Sequence, residues 1–158
     1  MATTEARTAD LTSWVTFLRA HAAITREMSA QLQREHGLTL HDYEVLLHLS
    51  RAEGFLMRRV DLAQSVLLTA SGITRLLEGL ERAGYVEKAT CQSDARVSYA
   101  KLTDDGRAKL RAASVTHVRG VRELFTGRYS GSELETLAQL LSRLPLADAS
   151  DASGEACG

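Results

Sequence analysis

Apolar residues recur along one side of a long helix near the start of the chain. The spacing predicts a helix over residues 10–35, ended by Gly37, and its apolar side comprises Leu11, Trp14, Val15, Leu18, Ala22, Thr25, Met28 and Leu32. Such a helix is roughly 39 Å long at ~1.5 Å per residue. A compact domain of this size is about 40 Å across, so we expect the helix to extend beyond the core of its own chain.

Three short elements are predicted next. A second helix begins at Thr39, where Asp42 completes a capping box. Its buried stripe comprises Val45, Leu46 and Leu49. The apolar run over residues 55–57 predicts a strand that pairs with a later ribbon, and a short helix is expected over residues 59–66.

The helix predicted over residues 69–83 has two contrasting sides. Its apolar stripe comprises Ile73, Leu76, Leu77 and Leu80. Its opposite side carries Ser71, Thr74, Arg75 and Glu78. Gly84 is placed to end the helix in a left-handed conformation. A helix that buries one side and presents Ser, Thr and Arg on the other can lie in the major groove of DNA.

A ribbon and two more helices complete the predicted structure. The ribbon has strands over residues 86–91 and 97–102, joined by a charged tip over residues 92–96. Thr103 then caps a long helix, and a break over residues 127–131 follows it. Ser130 and Glu133 form a capping box that opens the last helix, and Pro145 ends it.

These elements predict a mainly α protein with a small β-wing, built as a winged helix-turn-helix core with N- and C-terminal dimerisation helices. One domain is expected over residues 10–144, with the DNA-binding lobe at about 38–106 and the dimerisation helices at about 10–36 and 103–144. Residues 1–9 and the acidic segment 145–158 are expected to be disordered. The terminal helices carry about ten large apolar side chains, each costing ~1.5–3 kcal/mol if left exposed. A two-fold homodimer is therefore predicted.

Composition and charge narrow the class of protein. The chain has 158 residues, of which 44% are hydrophobic and 25% charged, as in ordinary globular proteins. Its formal net charge is −1, but residues 55–111 hold 10 Lys and Arg against 7 Asp and Glu, a local excess that favours DNA. There is no apolar run of ~20 residues for a membrane helix and no secretory pattern at the start, so a cytoplasmic protein is expected. Cys91 and Cys157 form neither a disulfide framework nor a metal motif.

The order of these elements resembles the MarR family of bacterial transcription regulators. The most specific segment is TASGITRLLEGLERAGYVEK, followed by DAR at the ribbon tip and LTDDGR at the next helix. The resemblance covers about residues 11–144. It implies a triangular homodimer with interlocked terminal helices that binds double-stranded DNA at a pseudo-palindromic operator. It also implies a repressor that responds to a small ligand bound between the lobes and the dimer region.

The resemblance assigns base contacts to the helix over residues 69–83. It places Ser71, Thr74 and Arg75 nearest the bases, with Thr69 at the start of the helix. Arg75 is expected to make a bidentate contact with guanine, which is the commonest specific pairing. Two-fold symmetry would place the two helices about 34 Å apart, one turn of DNA.

The resemblance assigns further DNA contacts to the wing and to nearby cations. Asp94 and Arg96 match the D-x-R wing of the family, where the arginine enters the minor groove and the aspartate braces the wing. Ser93 lies beside them. The phosphate contacts are assigned to Arg58, Arg59 and Lys88. The helix over residues 59–66 departs from many relatives because it lacks a Ser or Thr cap.

The sequence allows two kinds of ligand, a small-molecule effector and a metal ion. A ligand cleft would draw on Trp14, Phe17, Tyr43 and His117. His41, Glu44 and His117 lie near the positions where zinc-sensing relatives bind metal, so a zinc-responsive regulator is an alternative. The first helix has no cysteine, which argues against thiol-based peroxide sensing by the route of one branch of the family.

A protein-binding adaptor and an enzyme are the other two classes of function. A winged-helix adaptor that binds another protein would have the same fold. An enzyme is not expected, because the chain lacks a Ser/His/Asp or Cys/His arrangement, a phosphate-binding glycine loop and paired carboxylates at a strand end. No cofactor is required for the DNA-binding function.

Overall fold

The computed structural model describes residues 2–66, 68–90 and 96–145, with side chains described from residue 11 onward. Helices dominate this part of the chain, and a small sheet lies between them. The elements are α1 (Ala2–His36), α2 (Leu40–Arg51), β1 (Leu56–Arg58), α3 (Arg59–Ser65), α4 (Ala70–Arg82), β2 (Val86–Thr90), β3 (Ser98–Leu102), α5 (Asp104–Leu124) and α6 (Gly131–Leu141). No helix in the described residues has an apolar stretch long enough to span a membrane. The mainly α fold with a small β-wing is confirmed.

The sheet has three antiparallel strands in the order β1-β3-β2. Met57 of β1 pairs with Ala100 of β3, and Lys88 of β2 pairs with the same residue from the other side. The predicted third strand is therefore confirmed. It begins at Leu56, because Phe55 has a positive φ of 60° and belongs to the preceding turn.

One hydrophobic core holds the lobe together. Leu46 and Leu49 of α2, Leu62 of α3 and Leu77 of α4 are almost completely buried in it, and Ala100 lies below them in the sheet. The stripes that helical spacing predicted on α2 and α4 therefore face this core, with Leu76 of α4 only half-buried at its edge. Interdigitated core side chains of this kind fix how each helix is rotated about its axis.

The predicted helix starts are confirmed by side-chain caps. Thr39 and Asp42 form the capping box of α2, and Ser130 and Glu133 form that of α6. Thr69 accepts a hydrogen bond from the backbone N–H of Gly72 at the start of α4. Each cap satisfies backbone donors that the first turn of a helix leaves without partners.

Several predicted boundaries need correction. Helix α1 begins at Ala2 rather than at about residue 10, so it includes residues 2–9, for which disorder is predicted from the sequence. That segment contains helix-favouring Ala, Glu and Arg and no Gly or Pro that would stop the helix. Strand β3 begins at Ser98 rather than residue 97, and α6 ends at Leu141, before turns leading to Pro145. The acidic segment 146–158 and Cys91 lie outside the described residues.

The start of α5 packs tightly against the turn that follows α4. Thr103 donates from its backbone N–H to the carbonyl of Tyr85 (3.1 Å) and from Oγ1 to the carbonyl of Gly84 (2.7 Å). A Cβ atom added at Gly106 would lie 2.1 Å from the Tyr85 carbonyl oxygen. The glycine of the LTDDGR segment is therefore required by this close backbone approach.

We predict that Gly106→Ala lowers the free energy of unfolding by at least about 1–3 kcal/mol, the usual cost of overpacking. Chemical denaturation of the purified variant measures it. Gly79→Ala in α4 is the control, because its added Cβ meets nothing outside its own helix within 4 Å. It should stabilise the protein by about 0.8–1.0 kcal/mol through helix propensity. A free energy of unfolding for Gly106→Ala equal to that of wild type would contradict the close packing of Gly106 against Tyr85.

Candidate nucleic-acid interface

Helix α4 presents the predicted polar face to solvent. Ser71, Thr74 and Arg75 are exposed, whereas Ile73 and Leu77 are buried in the core. The two sides therefore separate as the sequence pattern predicted. The exposed side offers hydroxyl groups and a guanidinium, which are the groups that read base edges in a major groove.

The hydroxyl groups at the start of α4 have different local roles. Thr69 Oγ1 accepts from the Gly72 N–H (3.1 Å) and lies 3.3 Å from Ser71 Oγ. Thr74 Oγ1 donates to the carbonyl of Ala70 (2.9 Å). Thr69 thus serves first as a helix cap, while the exposed Ser71 and Thr74 hydroxyls retain acceptor capacity for a ligand.

Arg58 precedes α3 and is held by that helix. Its Nε donates to Asp61 Oδ2 (2.7 Å), and this hydrogen bond raises the pKa of Arg58 above its ordinary value. No side chain caps the first turn of α3, as the missing Ser or Thr predicted. Arg58 could contact a phosphate only with the guanidinium N–H groups that Asp61 leaves unused.

Arg59 and Lys88 share one carboxylate. Glu81 Oε1 lies 3.8 Å from Arg59 Nη2, and Glu81 Oε2 lies 3.6 Å from Lys88 Nζ. The Arg59 side chain is only 19% exposed, whereas that of Lys88 is 62% exposed. Arg59 is therefore placed mainly inside the lobe rather than on its surface, and Lys88 is better placed to reach a phosphate.

The wing is described only in part. Strands β2 and β3 form its two arms. Ser93 and Asp94 lie outside the described residues, and their predicted roles stay predictions. Arg96 lies exposed in a turn two residues before β3, which is consistent with a position near the tip.

The four predicted cleft residues form two separate ring contacts. The rings of Trp14 and Phe17 lie 6.4 Å apart on the exposed part of α1. The rings of Tyr43 and His117 are stacked at 4.4 Å between α2 and α5. Tyr43 is buried, so it is a core residue rather than the wall of an open cleft. Its hydroxyl donates to Ser114 Oγ (3.3 Å), because Ser114 uses its own proton on the Leu110 carbonyl.

The predicted metal ligands do not form a site. His41 Nδ1 lies 3.1 Å from Glu44 Oε2 on the surface of α2, while His117 is stacked on Tyr43. Among the described residues, no group of three or more His, Cys, Asp or Glu is arranged to hold a metal ion. Structural zinc needs about four ligands, whereas the direct contact among these three residues is that between His41 and Glu44.

A polar network that sequence analysis missed joins the end of α1 to α5. Thr116 Oγ1 donates to Glu35 Oε2 (2.7 Å), and Arg119 also donates to this carboxylate. His36 Nε2 lies 2.8 Å from Thr116 Oγ1, and it must be the donor because the Thr116 proton is already used. The hydrogen bonds from Arg119 and then Thr116 lower the pKa of Glu35. The network lies immediately before Gly37, where the chain leaves α1 for the lobe.

Glu81 was also missed, although the sequence holds a signal for it. It follows Leu77 by four residues, so it lies on the same side of α4 as the buried stripe. An acidic residue at such a position needs a cationic partner. Spacing along the helix could not show that the partners come from α3 and β2.

The chain is similar in sequence and in structure to known transcriptional regulators. The sequence model of the MarR family matches residues 36–97. AbsC, a MarR family transcriptional regulator from Streptomyces coelicolor, is 32% identical with a TM-score of 0.78, and the match covers 85% of this chain and 90% of that chain. Sco3205, a MarR family transcriptional regulator from the same organism solved in complex with DNA, is 26% identical with a TM-score of 0.81, covering 86% and 85%. The HTH-type transcriptional regulator PrsX from Escherichia coli is 25% identical over 118 residues, which are 75% of this chain and 70% of that protein.

Two half-buried histidines make stability depend on pH. Burial lowers the pKa of His48 and of His117 below the ordinary value of 6.5, and Glu44 opposes the shift in both. As the pH falls through the ordinary value, the unfolded chain therefore takes up protons before the folded protein does. The free energy of unfolding decreases in that range.

We predict that His117→Phe reduces the loss of thermal stability between pH 7.5 and pH 5.5 relative to wild type. This window lies above the ordinary carboxylate value of 4.5, so the lowered pKa values of Glu35 and Glu133 do not contribute. Phenylalanine retains a ring for stacking on Tyr43 and carries no proton. Thermal unfolding at both pH values measures the difference, and an unchanged loss in the variant would contradict the assignment.

Proposed function

This chain belongs to the MarR family of transcriptional regulators, and we propose that it binds double-stranded DNA as a homodimer and represses transcription. The observation that carries the proposal is the exposed Ser71, Thr74 and Arg75 face of α4 beside a β-wing. The resemblance to Sco3205, which was solved with DNA, supports it. The family consists of regulators rather than enzymes.

The uncovered side of α1 supports the homodimer. Trp14 and Leu32 are five helical turns apart and therefore lie on the same side of α1. Leu32 is 1% exposed against the core, whereas Trp14 is 57% exposed. Other large apolar side chains are also exposed on the terminal helices and just after α6, namely Leu11, Val15, Phe17, Leu18, Val115, Val118, Leu140 and Leu144. A second copy that covers these side chains would gain ~1.5–3 kcal/mol for each one fully buried.

A two-fold dimer determines the form of the DNA site. Two copies of α4 related by a dyad contact two half-sites about one turn of DNA, roughly 34 Å, apart. The half-sites are then inverted repeats, so the operator is pseudo-palindromic. A bound dimer that overlaps a promoter would exclude the polymerase, which is the basis of the proposed repression in the cytoplasm.

An effector site is supported on α5. An open groove of about 660 Å³ along one face of α5 is bordered by Ser114, Val115, Val118, Arg119, Arg122 and Glu123. This volume is within the roughly 300–1,000 Å³ range of small-molecule pockets. Apolar walls beside the guanidinium of Arg122 favour a small apolar carboxylate as the effector, since Arg119 is already paired with Glu35. The zinc-responsive alternative has no ligand set assembled in the described residues.

We predict that Arg75→Ala costs ~1–3 kcal/mol in operator binding and relaxes base preference at one position. Lys88→Ala should instead weaken binding to all sequences alike, because phosphate contacts carry no sequence information. Footprinting on the DNA upstream of the gene gives the operator, and titrations at fixed salt give the affinities. Unchanged operator affinity for Arg75→Ala would show that α4 is not the recognition helix.

We predict that Leu18→Glu shifts the protein from dimer to monomer, because it places a charge in the apolar side of α1. Sedimentation velocity at micromolar concentration measures the shift. Ala20→Glu is the matched control, since Ala20 is exposed and turned about 160° from Leu18 on an ideal helix. A wild-type protein that sediments as a monomer would contradict the homodimer.

DNA titrations also distinguish a DNA-binding regulator from the adaptor alternative. A protein that retards no DNA at low salt and forms a stable complex with another protein would be an adaptor on a winged scaffold.

A further inference from the structure

One carboxylate lies between the lobe core and the exposed cations of the wing. Glu81 is in the last turn of α4, and its side chain is 18% exposed. It forms ion pairs with Arg59 at the start of α3 and with Lys88 in β2. A single negative charge therefore neutralises part of two positive charges on elements that flank α4.

The two cations differ in how firmly they are held. Arg59 is mostly buried, and its Nε and Nη2 make no hydrogen bond within the described residues. A buried guanidinium needs a nearby counter-charge, and Glu81 supplies it. Arg59 consequently holds Glu81 in place beside Lys88.

Lys88 can exchange Glu81 for another anion. The distance of 3.6 Å from Nζ to Oε2 is longer than an N–H···O hydrogen bond, so charge attraction alone holds the pair. The ammonium has three donors and is well exposed on β2. A DNA phosphate would therefore compete with Glu81 for Lys88.

We infer that Glu81 limits the sequence-independent part of DNA affinity by competing with phosphate for Lys88. The inference rests on the proposed DNA-binding function. Phosphate contacts supply most of non-specific binding, and chromosomal DNA offers non-specific sites in great excess. A permanent competitor at Lys88 reduces retention on such sites without altering the base contacts of α4.

The test is a double-mutant cycle between Glu81 and Lys88. Wild type, E81Q, K88A and the E81Q/K88A double variant are titrated by fluorescence anisotropy against a labelled random-sequence duplex and against the footprinted operator. The titrations span about 50 to 200 mM salt, where counterion release is measurable. E87Q is the matched control, because Glu87 is on the same strand as Lys88 and pairs with Lys101 (3.3 Å). E87Q removes the same charge without breaking the ion pair of Lys88.

E81Q is expected to raise affinity for the random duplex by about two- to thirtyfold. Breaking two surface ion pairs, one in each protomer of the proposed dimer, converts to this range. The slope of log affinity against log salt should steepen by about 0.9 for each additional phosphate that the protein neutralises. Operator affinity should rise by a similar factor. E87Q should have a smaller effect. K88A should lose more affinity in the E81Q background than in wild type.

Equal losses for K88A in both backgrounds would overturn the inference, as would a decrease in affinity for E81Q or an equal gain for E87Q. If E81Q unfolds because Arg59 loses its counter-charge, the double variant Arg59→Met/E81Q is titrated in place of E81Q. This pair keeps the wild-type net charge and still releases Lys88, so a gain for the random duplex supports the inference and no gain overturns it. A folded wild type that binds neither duplex refutes the proposed function and the inference with it. A wild type that binds both leaves the proposed function standing whatever the cycle shows.

Discussion

The packing of the apolar side of α4 against the lobe core is the constraint on which the proposed interface depends. Ile73, Leu77 and Leu80 enter the core, and a helix can bury such a stripe in only one rotational setting. Ser71 and Arg75 are exposed as a consequence of that setting. The core therefore positions the groups that are proposed to read DNA, although it contains none of them.

The lobe is joined to the long helices by polar and aromatic contacts. Tyr43 and His117 are stacked between α2 and α5, and Thr116 joins α5 to Glu35 and His36 at the end of α1. Thr116 is buried with both hydrogen-bond roles of its hydroxyl occupied. Such contacts depend on direction as well as distance. A change in the angle between α1 and α5 would therefore disturb these contacts at the point where the chain enters the lobe.

The proposed DNA face combines fixed and exchangeable charge. Arg59 is mostly buried and retains Glu81, whereas Lys88 is exposed and only loosely paired with the same carboxylate. Arg58 is held by Asp61 through a direct hydrogen bond. The positive charge available to phosphate is consequently smaller than a count of Lys and Arg in the sequence suggests.

Interactions between residues close in sequence explain why the helices and their apolar sides could be predicted. Thr39, Thr69 and Ser130 were predicted as caps because a cap involves residues only two or three positions away. The stripe of α4 was predicted because residues three and four apart lie on one side of a helix. The family resemblance added the predicted DNA-binding role of Ser71, Thr74 and Arg75, and these three residues lie on one exposed face of α4. The early start of α1 was missed because eight polar and small residues carry no apolar period, even though they favour a helix.

The sequence by itself determined which residues cap α2, α4, α5 and α6, which side of the helices is apolar and where glycine ends a helix. Only the tertiary structure decided that Glu81 neutralises Arg59 and Lys88, that Tyr43 stacks on His117, and that His41, Glu44 and His117 do not assemble as a metal site. Thr116 and Glu35 are 81 residues apart and touch only because α1 packs on α5. Periodicity reports neighbours within one element, whereas such contacts depend on how the shared core orients different elements.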